Sequence, residues 1–232
     1  MLSPTRNFDS IQARVRQTLD RGVQIDLSTE SCKRFLRRRV NQKIGVVILY
    51  VDIDGSTKMS MAITPDRFAT ILHIFSQEMS LAIAEYGAYV LKYVGDAVIA
   101  LFPAEYDSGQ ASKSAVECAK DMQEIIKKCI NPELKVHGLP EIRVKMSVDC
   151  GSVQVVLYGK SIERSHIDIL GSSISVAAKM IPLAQTWQIV IGQSVHEKLA
   201  NKDDFVEIKI DLARWTYVDE KSGSSYRLYA LR

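Results

Sequence analysis

The chain has no apolar run approaching the ~20 residues that a bilayer-spanning helix needs, so no membrane span is expected. Its first residues, MLSPTRNFDS, lack the apolar stretch of a secretory signal, and a cytoplasmic protein is expected. Cysteine is scarce. Cys32, Cys118, Cys129 and Cys150 form no C-x-x-C pair and read as reduced, mostly packing residues. An excess of one charge is missing too. The 30 Lys and Arg against 27 Asp and Glu leave a net charge of +3, too little to argue for nucleic acid. No Gly/Ser linker, low-complexity tract or internal repeat divides the 232 residues, which leaves one large domain or a domain with an arm. The remaining composition, 47% hydrophobic and 25% charged, is that of an ordinary soluble globular protein.

Against this background two stretches stand out, VDIDGST at Val51–Thr57 and LKYVGDAVIALF at Leu91–Phe102. Each is an apolar run broken by a carboxylate at a chain reversal. Asp52 ends the strand-like run Ile44–Val51, and Asp96 follows Gly95 between two β-rich runs. Carboxylates at the ends of buried strands are costly unless paired or ligated. Side by side they make a hard-oxygen site suited to Mg²⁺, which takes one or two carboxylates together with substrate phosphates. Two such ions are the apparatus for displacement at phosphorus. Beyond Asp52, a Gly-bearing turn with hydroxyl residues, Gly55-Ser56-Thr57, can aim backbone N–H groups at phosphate, although turns commonly use these residues.

The hydrophobic pattern places these motifs. Residues 1–43 read as a helical N-terminal arm, with Ile11, Val15 and Leu19 at helical spacing and a basic cluster of Lys33, Arg34, Arg37, Arg38 and Arg39. That cluster has two readings. One is a contact with a regulatory or acidic partner or with lipid headgroups. The other is a solvated helix face, which charge runs ordinarily are. The main domain, 44–232, begins with a buried strand at Ile44–Ile53. Pro65 opens a helix to about Tyr86, with Phe68, Ile71, Leu72, Phe75, Met79 and Ile83 on its core stripe, and Gly87 stops it. Tyr89–Tyr93 and Ala97–Phe102 form a hairpin turned at Gly95. Ser108–Ile130 is a second long helix. Ile142–Val148 and Val153–Leu157 are strand-like, as is Ile167–Leu170. A helix from about Ser173 to Ile181, a strand at Trp187–Ile191, a helix at Gln193–Leu199 and strands near Phe205–Ile210 and Tyr226–Leu231 complete the chain. Strand, helix, hairpin, helix, strand is the ferredoxin-like βαββαβ order, so a mixed α/β (α+β) fold with extra C-terminal elements is expected. In that arrangement the first strand lies beside the third, which brings Asp52 to Asp96.

VDIDGST, KYVGDAVIALF and the later IDILGSSISVAAKM together resemble three ordered motifs of the class III nucleotidyl cyclases, the adenylate and guanylate cyclase family. The resemblance covers about Ile44 to the C-terminus and leaves the arm outside. It implies that Asp52 and Asp96, with the Ile53 carbonyl, bind two Mg²⁺ or Mn²⁺ ions. Beside that metal pair the turn at Gly55, Ser56 and Thr57 gains weight as a phosphate contact, and the resemblance implies that Lys92 and Asp168 read the base. A lysine donor beside a carboxylate acceptor complements the adenine edge and has the wrong polarity for guanine. Cytosine shows the same edge as adenine, so CTP stays open. Tyr50, where the family more often has Phe, either narrows the base pocket or packs, and packing is favoured. Two positions depart from the family. Ser175 stands where an Asn orients the ribose, and Lys179 where an Arg balances charge on the transferring phosphate. Lysine keeps that charge without the bidentate fork. Lys221 is the nearest match to a C-terminal phosphate-contacting lysine, with a turn lysine as the plainer reading. The implied reaction is ATP to 3′,5′-cyclic AMP and pyrophosphate at a head-to-tail homodimer interface. A cyclase of another base preference and a dimer that binds nucleotide or a partner without turnover are the alternatives.

Overall fold

The apolar run after Gln42 folds as β1 (Lys43–Ile53), and both of its faces are covered. On one face lie Val47, Leu49, Val51 and Ile53, and on the other Ile44, Val46 and Ile48, all essentially without solvent contact. β-branched residues on a pleated strand suit that double burial. The computed structural model describes residues 7–23, 25–211, 215–219 and 222–232.

After β1 come α3 (Ser56–Ala62), α4 (Pro65–Glu85), β2 (Tyr89–Val94), β3 (Ala97–Pro103) and α5 (Ser108–Ile125). A π turn (Ile126–Ile130) leads to α6 (Asn131–Val136) and β4 (Val144–Tyr158). The remainder is β5 (His166–Leu170), α7 (Ser172–Met180), a 3-10 turn (Ile181–Leu183), β6 (Ile189–Gly192), α8 (Gln193–His196), β7 (Phe205–Glu207) and β8 (Leu228–Leu231). Two helices, α1 (Phe8–Arg21) and α2 (Glu30–Arg37), precede β1. One eight-stranded sheet runs β2-β3-β1-β4-β6-β8-β7, with β5 pairing β4 off that path. Its first four strands stand in the expected ferredoxin-like order, and β1 is antiparallel to both β3 and β4. Among the described residues no helix is long and apolar enough to cross a membrane.

The back face of the sheet packs on α4 and α5 through Ile71, Ile74, Phe75 and Met79 and through Ala115, Cys118, Ala119 and Met122. The front face packs on Cys32 and Leu36 of α2, Ile167 and Ile169 of β5, and Ala177 of α7. Residues 8–21 and 30–37 are not free of the domain. Ile11 and Val15 of α1 join the back core. All four cysteines are free and buried.

Several boundaries differ from the sequence pattern. The two strands expected at Ile142–Val148 and Val153–Leu157 are one, because Cys150 and Gly151 keep their ladder partners Val47 and Val46 on β1. Gly151 serves a close approach rather than a turn, since a Cβ there would lie 2.9 Å from the Ser173 Cβ. The helix expected to end at Ile130 instead passes into an i→i−5 turn, in which Asn131 N–H donates to the Ile126 carbonyl. Pro132 follows with no N–H to give and a ring that crowds the preceding turn, and helical structure resumes to Val136. Helix α3 directly after Gly55 was not expected. Helix α8 and strands β7 and β8 are shorter than the pattern suggested.

Candidate active site

Asp52 sits opposite Ala97 across β1 and β3, and Asp96 is the residue just before Ala97 in the β2–β3 turn. Gly95 makes that turn with φ of +60°, a conformation that costs a side-chain-bearing residue. Both carboxyls are half-buried. Burial, and then the neighbouring Asp96 charge, push the Asp52 carboxyl up to about 6, with Asp54 adding to the rise and Lys145 opposing it. The Oδ2 of Asp96 is buried and has no hydrogen-bond partner. A divalent cation relieves both conditions at once, since it supplies the charge that two neighbouring carboxylates lack. Among the described residues no group of three or more His, Cys, Asp or Glu side chains forms a metal cluster. Two carboxylates with the adjacent Ile53 carbonyl are a sparse donor set, and sparse sets suit Mg²⁺, which fills its remaining positions with water and phosphate oxygens.

Asp54 is the third carboxylate of the motif, but it is already taken. The Thr186 hydroxyl donates to Oδ2, Lys145 Nζ lies 3.1 Å from Oδ1, and the two hold Asp54 below the usual carboxylate range. Lys145 is itself the register partner of Asp52 on β4. Sequence reading passed over it. The signal was a lone lysine inside the apolar run VKMSV, but only the β1–β4 register shows that it faces the acidic motif. Gly55 then takes φ of +80° and caps α3, whose first turn, including Ser56 and Thr57, leaves backbone N–H groups without helical partners.

A second constellation joins residues 76 positions apart. Lys92 Nζ on β2 donates to both carboxylate oxygens of Asp168 on β5, at 2.6 and 2.8 Å. Asp168 Oδ1 also accepts the Ile169 N–H at 2.9 Å, which fixes the carboxylate plane. Lys92 and Tyr50 both pair with Ile99 of β3, so the three stand on one face in one rung of the sheet. Burial first, and then the Asp168 charge, raise the Tyr50 phenol above its ordinary range. The Tyr50 ring packs against the front core and, by its rung, stands beside the Lys92–Asp168 pair. Cys32 of α2 lies beneath the pair, and burial pushes its thiol up to about 12, so it is inert.

Ser175 and Lys179 lie one turn apart on the exposed face of α7. The Ser175 hydroxyl reaches only the Gly171 carbonyl, at 3.5 Å. Among the described residues neither side chain hydrogen-bonds or ion-pairs with Asp52, Asp96 or Asp168. Lys221 lies outside the described residues.

Comparisons with known proteins bear on the family. A family model described as the adenylate and guanylate cyclase catalytic domain matches residues 39–218. An adenylate cyclase of Anabaena cylindrica is 32% identical over 168 residues, covering 69% of this chain and 32% of that protein. A cytidylate cyclase of Escherichia coli is 26% identical over 174 residues, covering 71% of this chain and 37% of that protein. The chain therefore spans about a third of the length of these relatives. The crystal structure of the guanylyl cyclase Cya2 shares the fold with a TM-score of 0.69 at 18% identity, over 83% of this chain and 93% of that one. The family model spans most of the chain, which therefore belongs to the adenylate and guanylate cyclase catalytic domain family, the class III nucleotidyl cyclases.

Proposed function

We propose that this domain cyclises a nucleoside triphosphate, with ATP going to 3′,5′-cyclic AMP and pyrophosphate. The observation that carries the proposal is the Asp52–Asp96 pair, with one buried carboxylate oxygen unpartnered and one carboxyl pushed up to about 6. In this reading Asp52, Asp96 and the Ile53 carbonyl hold two Mg²⁺ or Mn²⁺ ions. Such ions, when bound, acidify the ribose 3′ hydroxyl and neutralise the triphosphate. The 3′ oxygen displaces pyrophosphate from the α-phosphorus, and its proton leaves to solvent. The first turn of α3, with Gly55, Ser56 and Thr57, receives phosphate oxygens on backbone N–H groups. Lys145 keeps Asp54 occupied and adds a positive charge at the same end of β1. Lys92 donates to the ring nitrogen acceptor of the base, and Asp168 accepts from its exocyclic amine. Lys179 balances charge at the α-phosphate as a point charge, and the Ser175 hydroxyl meets the ribose.

We assign the complete site to a head-to-tail homodimer in which each interface combines groups from both copies, a reading supported by the absence of any bond from Ser175 or Lys179 to Asp52, Asp96 or Asp168 within the described chain. A second reading concerns the base. Tyr50 shares a rung with Lys92 and closes that face with an aromatic ring, which favours a smaller base of the same polarity, cytosine. A cytidylate cyclase among the relatives is consistent with it.

The test is product analysis. Purified protein is incubated with equal ATP, GTP, CTP and UTP and with either Mg²⁺ or Mn²⁺, beside an Asp96→Ala variant. Cyclic AMP that vanishes in the variant supports the proposal. Cyclic CMP keeps the mechanism and moves the base assignment to the second reading. No cyclic product under any condition defeats the catalytic reading and leaves a nucleotide-binding domain without turnover.

A further inference from the structure

We propose that Arg37 of α2 is a positioning residue that sets base discrimination by clasping the β4–β5 hairpin over β2. The inference rests on the reading of Lys92 and Asp168 as the base-contacting pair.

Strand β5 carries Asp168, yet in the sheet it hydrogen-bonds to β4 alone. A two-stranded extension is free to swing unless something else holds it. Beyond the burial of Ile167 and Ile169 in the front core that also holds Leu91 of β2, two features tie it to β2, the strand that carries Lys92. One is the Lys92–Asp168 ion pair itself, which a bound base must rearrange. The other is α2. On one side α2 grips β2, with the Phe35 ring stacked on Tyr89 at 5.0 Å between centroids and the Arg39 guanidinium 3.9 Å from the Phe35 ring centre. On the other side the Arg37 guanidinium donates to two successive carbonyls of the β4–β5 loop, from Nε to Ile162 at 3.1 Å and from Nη2 to Glu163 at 3.3 Å. Its Nη1 is held by Glu30 of the same helix, and Arg37 in turn keeps the Glu30 carboxyl low. The guanidinium is therefore aimed before it meets the loop.

The loop transmits that grip, because it is closed on itself. Ser165 N–H donates to the Ser161 carbonyl at 2.9 Å, and Arg164 N–H to the Ser161 hydroxyl at 3.3 Å. Holding residues 162 and 163 thus holds both strands of the hairpin. Asp168 follows five residues later, within the β5 rungs that pair with Val155 to Leu157. A shift of the hairpin changes the separation of Lys92 Nζ and the Asp168 carboxylate, and so the fit of a donor and acceptor on one base edge. A site that hydrogen-bonds one base edge discriminates through the placement of those groups. Two members of the basic cluster, Arg37 and Arg39, accordingly have work inside the domain. Arg39 also pairs with Glu105 at 2.9 Å.

The experiment compares the parent chain with Arg37→Ala, Arg37→Lys and Lys92→Ala. Lysine keeps a charge opposite Glu30 but has no fork to span two carbonyls. Amide hydrogen exchange without nucleotide is the first readout. Faster exchange in residues 159–170 of both Arg37 variants, with the remaining peptides unchanged, is expected. Exchange identical to the parent overturns the clasp independently of any nucleotide. Steady-state kinetics with the preferred nucleotide and with GTP is the second. Both Arg37 variants are expected to raise KM and to lower the discrimination ratio about tenfold, with kcat kept within about twofold. An equal loss for every nucleotide, or an unchanged ratio while Lys92→Ala loses it, overturns the positioning role. A ratio unchanged in Lys92→Ala as well overturns the base-reading assignment and the inference with it.

Discussion

At the scale of single residues, Asp149 is a costly buried group that is occupied. Asp149 lies within β4 and is fully enclosed, and burial pushes its carboxyl up to about 6. The Tyr226 hydroxyl donates to Asp149 Oδ1 at 2.6 Å and the Ser194 hydroxyl at 2.9 Å, so the group ties the C-terminal segment to the sheet. Unlike Asp52 and Asp96, it has its donors in place and lies outside the candidate metal pair. A folded pKa above the unfolded value means that the folded state holds the proton longer. The stabilisation is complete below about 4 and is lost as pH rises through about 6. Asp149→Asn keeps an oxygen acceptor without the ionisation. Its thermal midpoint is expected to gain on the parent between pH 4 and 7, by the equivalent of up to about 3 kcal/mol. Melting curves across that range check this. A constant offset between the two proteins would show that Asp149 does not titrate with folding.

At the scale of elements, α1 shows why periodicity found the helices but missed their roles. The spacing of Ile11, Val15 and Leu19 was legible, and Ile11 and Val15 are buried. The partners of Arg14 and Arg16 were not legible, because they come from α4 and α6. Arg14 pairs with Glu78 at 2.6 Å and Arg16 with Glu133 at 2.7 Å, and both carboxylates are almost fully enclosed. Thr18 accepts from the buried Gln77 amide at 2.8 Å. Nothing in a core stripe predicts buried Gln77 and Glu78 on α4, since a 3.6-residue period assigns them to solvent unless another helix covers them. The same limit applied to β4. Cys150-Gly151 looks like a turn until the opposing strand is known. Lys145 looks like an ordinary strand lysine until its rung is known. Breaking a buried pair from one side leaves a bare charge, so Arg14→Met is expected to cost about 3 kcal/mol, and the double variant Arg14→Met/Glu78→Met to recover most of it. Chemical denaturation of the parent, both single variants and the double variant measures the coupling. Additive losses would mean that Glu78 finds another partner when α1 lets go.

At the scale of the whole molecule, the motifs lay open in the sequence while their assembly did not. Asp52 with Asp96, and Lys92 with Asp168, meet within one chain because β1 lies beside β3 and β5 lies over β2. Ser175 and Lys179 meet neither pair. The β2 end, the β4–β5 hairpin and its loop also leave Val94, Tyr158, Ile162 and Leu170 each about half exposed. Exposed apolar groups of this kind are what a second copy of the chain would cover. In the proposed head-to-tail dimer, one interface takes its carboxylates from one copy and its base-reading lysine from the other. Asp52→Ala and Lys92→Ala each then spoil both sites of a homodimer. Mixed and allowed to exchange, they form hybrids in which one site carries both lesions and the other carries none. Random exchange makes half of the dimers hybrid, and one site in each hybrid is intact, so about a quarter of the parent activity per chain is expected to return. Activity is read before and after mixing at fixed total protein, with size-exclusion chromatography to confirm exchange. If dimers exchange and no activity returns, the carboxylates and the lysine act within one chain. The second copy would then be left with only Ser175 and Lys179 to contribute to the site.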